Sequence, residues 1–93
     1  MSTFFMFGKY SAESMRSISA QRTREVADIV DRFGGEILAM YALLGAYDLV
    51  LIVKFSSMED ALKASVTISQ SLGISFSTLP AIPVEEFDKL VGR

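Results

Sequence analysis

The pattern of apolar residues predicts an α+β sandwich, with elements in the order β-α-β-β-α-β and a short helix at the end. Three observations carry this reading. Four short apolar runs, Thr3 to Lys9, Glu36 to Leu44, Tyr47 to Phe55 and Ile74 to Leu79, have the length and side-chain types of strands. Stretches of helical periodicity separate the first run from the second and the third from the fourth. Between the second and third runs stands only Gly45-Ala46, which leaves room for a tight turn and nothing more.

The first run, with Phe4, Phe5, Met6 and Phe7, places apolar groups on both faces of a strand. A strand that is apolar on both sides is covered on both sides. Ser11 is placed to cap a helix, with Glu13 in its first turn. The helical pattern weakens at Ser17-Ile18-Ser19-Ala20-Gln21, which predicts a bend, or a short helix followed by a longer one. From Thr23 the period is clear, and Val26, Ile29, Val30 and Phe33 share one face. Gly34-Gly35 ends that helix.

The second strand is again apolar on both faces. Gly45 and Ala46 then read as a two-residue type II′ hairpin, with Leu44 and Tyr47 facing each other across it. Alternation in the third strand puts Tyr47, Leu49, Leu51, Val53 and Phe55 on one face and Asp48, Val50, Ile52 and Lys54 on the other. Ser56-x-x-Glu59 forms a capping box, with Ser57-x-x-Asp60 a second capping pattern one residue on. The helix that follows turns Met58, Ala61, Leu62, Ser65, Ile68 and Leu72 inward and stops at Gly73. Pro80 and Pro83 mark a strand end or a sheet edge, and Pro83 suits the first turn of a last helix bearing Val84, Phe87, Leu90 and Val91.

Ninety-three residues form one domain, 1–93, and 51% of them are hydrophobic. A net charge of −2 without a basic run argues against nucleic acid as a partner. With no Cys and no His, the chain has no disulfide, no Cys nucleophile, no His base and no zinc or haem site of the usual ligand types. No Asp-x-Asp-like cluster points to Mg²⁺ or Ca²⁺. No cofactor and no metal are therefore expected. The N-terminus lacks the basic stretch and length of a signal peptide, and no apolar run is long enough to span a bilayer, so a cytoplasmic location is expected.

The element order is the split βαβ, or ferredoxin-like, arrangement. Its two main helices can cover one face of a four-stranded sheet. The alternation implies that the other face is buried as well. The simplest cover is a second copy of the same sheet, packed face to face with two-fold symmetry, which makes the expected partner a homodimer.

Gly45-Ala46-Tyr47-Asp48 resembles the Gly-x-Tyr-Asp signature of the GYD domain family. Its surroundings agree, with Gly34-Gly35 before the second strand, Tyr41 within it, Thr78-Leu79-x-Ala81 near the end and Glu86-Phe87 after it. The resemblance spans nearly the whole chain. It implies a place among dimeric α/β barrels, in which two ferredoxin-like sheets close on each other. That group includes cofactor-free monooxygenases, haem enzymes and effector-binding modules of regulators, so the resemblance implies a fold more than a chemistry.

Four residues are candidates for a site. Asp48 is the only acid between Glu36 and Glu59, and it sits at the mouth of an apolar hairpin. It is a candidate general base or ligand anchor, or it accepts hydrogen bonds from turn amides. Tyr47 and Tyr41 offer a stacking ring and a hydroxyl, or simply pack. Arg22, with Arg16 and Arg24 nearby, can clamp a carboxylate or phosphate, or belong to a solvated helix face. Three functions follow: binding of a small, partly apolar ligand between sheet and helices; a cofactor-free enzyme, of monooxygenase or isomerase type, using Asp48; or a structural and assembly subunit.

Overall fold

A computed structural model describes residues 1–92. In chain order the elements are β1 (Ser2–Tyr10), α1 (Ala12–Arg16), α2 (Ala20–Arg32), β2 (Glu36–Ala42), β3 (Leu49–Phe55), α3 (Met58–Leu72), β4 (Ile74–Ala81) and α4 (Val84–Val91). The strands form one antiparallel sheet in the order β2-β3-β1-β4. This is the ferredoxin-like arrangement, with the third and first strands at the centre. The weak helical stretch resolves as two helices, α1 and α2, each started by a serine. Ser11 Oγ accepts the Ser14 N–H, and Ser19 Oγ accepts the Arg22 N–H.

Helix ends follow their residues closely. Gly34 has φ +77°, its N–H donates to the Asp31 carbonyl, and the Gly35 N–H reaches back to the Val30 carbonyl. That pair of bonds is a Schellman motif, which glycine permits because it has no Cβ to clash at positive φ. At the start of α3 the cap is Ser57 rather than Ser56, since Ser57 Oγ accepts the Asp60 N–H at 3.2 Å. The cap shifts by one residue because β3 continues through Phe55 before the chain turns.

One face of the sheet is built from Phe4 and Met6 of β1, Leu49, Leu51, Val53 and Phe55 of β3, and Ile74 of β4. It packs under Val26, Ile29 and Val30 of α2 and Ala61, Ala64 and Ile68 of α3. Met6, Leu51, Val53, Phe55, Ala61, Ala64 and Ile68 have no exposed surface at all, so the layer between sheet and helices is solid. Phe4 and Phe55 meet edge to face at 6.1 Å inside it.

Two expectations about side-chain direction change, and so does the length of the hairpin. Met58 and Leu62 do not face inward: they are 58% and 60% exposed, and α3 turns Ala61, Ala64, Ser65 and Ile68 to the core instead. The small residues win because they let α3 sit close to the sheet, where Ser65 Oγ pairs with Thr78 Oγ1 of β4 at 2.7 Å. The hairpin is longer than a two-residue turn. β2 stops at Ala42 and β3 starts at Leu49, and the loop closes through the Leu43 N–H on the Asp48 carbonyl. Tyr47 therefore precedes the strand, and its ring lies 5.3 Å from Phe7 on the face away from the helices, not beside Leu49. Pro80 lies on the sheet-edge strand, one of the two places its sequence context predicts, and β4 runs on through it to Ala81 because the outer side of an edge strand needs no donor.

Gly35 is where α2 meets the sheet. A Cβ there would stand 2.5 Å from Phe55 Cε1 and 2.7 Å from Val30 Cγ1, and Phe55 has nowhere to move. Gly35→Ala is expected to lower the unfolding free energy by about 1–3 kcal/mol through overpacking. Urea denaturation measures it, and an unchanged midpoint would mean that the core under α2 is looser than described.

Candidate functional site

The second face of the sheet carries the features left over once the core is built. The β1–β3 register sets Phe5 opposite Ile52 and Phe7 opposite Val50, while Leu79 of β4 stands beside Phe5 and Tyr41 of β2 beside Val50. A bulge at Leu38 lets Ile37 face the core while Ala39 and Tyr41 keep their places on this open face. Phe5, Phe7 and Tyr47 form a row of rings, 6.3 Å and 5.3 Å between successive centroids. Tyr41 is 60% exposed and Leu79 51% exposed. Among the described residues no element covers this surface. Its polar point is the Tyr47 hydroxyl, which shares a hydrogen bond of 3.3 Å with Ser77 Oγ.

Asp48 sits at the end of this face, half-buried, with every backbone group occupied. Its N–H donates to the Gly8 carbonyl, its carbonyl accepts from Leu43, and Oδ2 of its side chain accepts the Tyr10 N–H at 2.8 Å. The side chain thus fastens the loop to the last residue of β1 and supplies the acceptor that Tyr10 would otherwise lack. Lys9 adds a second tie from the same strand, donating from Nζ to the Ala46 carbonyl at 3.3 Å. The loop needs Gly45, whose φ is +146°.

Arg22 lies on the helix side of the sheet, against the Tyr10 ring. It is 8% exposed, its Nη1 donates to the carbonyl and the hydroxyl of Ser14, and its guanidinium lies 4.5 Å over the Tyr10 ring. It joins α1 to α2 and to the end of β1. Arg22 also lines a depression of about 430 Å³, bounded by Ser14 and the cap serines Ser11, Ser17 and Ser19 of α1 and α2 and by the end of α3, with Glu13 and Glu25 on its wall. A second depression, of about 450 Å³, lies between α2 and the start of β2.

The four sequence candidates do not form one site, and Asp48 and Arg22 meet only through Tyr10, one at its backbone N–H and the other at its ring. Tyr47 and Tyr41 share the open sheet face, Asp48 holds its rim together, and Arg22 is buried among α1, α2 and β1. Two features escape the sequence reading. One is the flank of α3, where Met58, Leu62 and Val66 recur every four residues and remain exposed. That spacing is visible in the sequence, but it reads equally well as a core stripe. The other is the Tyr47–Ser77 pair, thirty residues apart, for which no local signal exists. Among the described residues there is no group of three or more acids that could hold a metal, and no helix is long and apolar enough to cross a membrane.

The chain is similar to a protein of Thermus thermophilus named "Glutamine synthetase and cystathionine beta-lyase binding protein". The two are 28% identical over 89 residues, which are 92% of this chain and 94% of the relative. The GYD domain model matches residues 4–91, through all four strands and the last helix. The chain belongs to the GYD domain family.

Proposed function

We propose that this chain is a homodimeric binding protein that acts by docking on a partner protein rather than by catalysis. The observation that carries the reading is the bare sheet face, where Phe5, Phe7, Tyr41, Tyr47, Ile52 and Leu79 form an apolar surface that α2 and α3, packed on the opposite face, leave uncovered. A surface of this kind on a small protein marks an interaction site. Family membership and the likeness to a protein named for binding two enzymes support a binding role with protein partners.

Two of the exposed apolar surfaces divide the work. The sheet face suits a second copy, because a like sheet packed on it removes both from water in a closed, self-complementary contact. The flank of α3, with Met58, Leu62 and Val66, stays outside such a dimer and suits a protein partner, of which glutamine synthetase and cystathionine β-lyase are the types to test first. A general-base role for Asp48 has less support than a structural one, since its side chain already serves the Tyr10 amide.

A second reading rests on the hydroxyl pair of Tyr47 and Ser77. A few convergent polar groups within an aromatic surface are what a small, partly apolar ligand needs. Such a ligand would sit between the two sheets of a dimer. The solid layer between sheet and helices offers it no room.

Multi-angle light scattering is expected to give twice the chain mass, and Ile52→Glu, which places a charge in the centre of the sheet face, is expected to give the monomer. A wild-type monomer would defeat the dimer reading. Leu62→Glu is expected to leave the dimer intact and to weaken binding to the enzyme partner, prepared from the same organism, by at least about tenfold in calorimetry. Equal affinity would remove the α3 flank from the interface. Asp48→Ala leaves the Tyr10 N–H without its acceptor and is expected to cost about 1–3 kcal/mol of stability, while Asp48→Asn, which keeps an acceptor oxygen, costs less. Equal losses in thermal unfolding would show that charge, not the hydrogen bond, matters at this position.

A further inference from the structure

α4 is a helix without a partner. None of its residues is buried, and Val84, Phe87, Leu90 and Val91, which share one stripe, are 71%, 52%, 74% and 65% exposed. Its N-cap, Pro83, makes no side-chain cap bond. A helix of eight residues is not stable in water by itself, since isolated helices need roughly 12–15 residues even with good helix formers. Something must therefore cover its apolar stripe.

In this structure the chain does not do so: α4 leaves β4 through Ile82 and the extended Pro83, at φ −57° and ψ 144°, and none of its residues is buried. A second exposed apolar feature is the β2–β3 loop. Leu44 at its tip is fully exposed, and Leu43 and Tyr41 stand open beside it. The strand register locates both features. α4 leaves the sheet after Ala81, which pairs with Thr3, on the β4 edge. The loop lies past Leu49, which pairs with Gly8, between β2 and β3 towards the other edge. They occupy diagonally opposite corners of the sheet. Thr3 to Tyr10 alone spans about 23 Å at about 3.3 Å per residue, so the two corners of one chain never meet.

Two copies bring them together. When the open faces of two sheets pack with their strands crossed, a two-fold axis lying between them, perpendicular to that diagonal, carries the loop corner of one chain onto the α4 corner of the other. We infer that α4 is a dimer arm, whose apolar stripe docks on Leu43, Leu44 and Tyr47 of a second copy, reciprocally at both corners. Charge fits as well: the stripe is flanked by Glu86 and Asp88, and the acceptor loop carries the Lys9 ammonium on its Ala46 carbonyl. The inference rests on the homodimer reading and adds to it the geometry of the dimer and a role for the last helix. It also closes each aromatic face at its Tyr47 end with a helix from the partner.

The chain has no cysteine, so introduced thiols report without interference. Leu44→Cys chains and Leu90→Cys chains are mixed, allowed to exchange and oxidised with a mild catalyst. A covalent heterodimer is expected from the mixture and from neither variant alone, and peptide mapping is expected to find the 44–90 disulfide. Leu90→Glu, at a position that is not buried in its own domain, is expected to leave the fold unchanged by circular dichroism and to weaken the dimer by at least about tenfold on dilution. A wild-type dimer with no 44–90 disulfide, or a Leu90→Glu dimer as tight as the wild type, overturns the arm and leaves the sheet-face dimer standing. A wild-type monomer overturns both.

Discussion

A four-stranded sheet has two faces, and this chain has helices for one. That constraint organises everything else in the molecule. α2 and α3 lie on the side where Met6, Leu51, Val53 and Phe55 are fully buried, and their own contact surfaces are already complete. The opposite side is left with a row of rings that no small domain gains by exposing. The excess of apolar residues in the sequence is therefore not a sign of a larger core. On the dimer reading it is the inside of an assembly, seen from a single chain.

The polar side chains make the complementary point. In a small catalytic site, titratable groups converge on a shared space. Here they diverge. Asp48 closes a loop onto β1, Arg22 ties α1 to α2 and stacks on Tyr10, and Ser65 meets Thr78 across the gap between helix and sheet. Each bond satisfies a group that folding has removed from water, which is the ordinary duty of a buried polar atom. Gly45 and Asp48 of the family signature fit this pattern: the glycine permits the loop and the acid secures it, so that Tyr47 is presented to the aromatic row. On the dimer reading, the signature shapes the rim of the interface.

Element order, helix ends and the presence of a second apolar face are legible in the sequence because each rests on local chemistry. Ser11 caps, Ser57 caps as the second of two patterns one residue apart, Gly34 and Gly73 terminate, and alternation along β3 separates Leu51 and Val53 from Val50 and Ile52, whereas the Ser19 cap of α2 is not singled out by the sequence. What is not legible depends on distance in space. The inward face of α3 is obscured because Met58 and Leu62 are larger and more apolar than Ala61 and Ala64, and the sequence alone does not say that the helix must sit close enough to require the small ones. Tyr47 falls on the other face from the one that alternation assigns it, because strict alternation does not hold two residues before the start of β3, where the Leu43–Asp48 bond bends the chain into a loop. Arg22 reads as an exposed clamp because nothing near it in sequence announces Tyr10 or Ser14 as its partners.

The same distinction explains why α4 stands apart from the other helices. α2 and α3 hold their shape through faces buried on the sheet, and their caps only tune the ends. α4 has the amphipathic pattern of a packed helix with no packing, preceded by a proline that directs it away from its own domain. Pattern without contact is a local choice that disagrees with the structure of the single chain, and natural sequences keep such disagreements few. It disappears if the unit that folds to completion is two chains. The sheet face, the exposed loop and the last helix are then three parts of one interface, and the flank of α3 is the apolar surface still free for another protein.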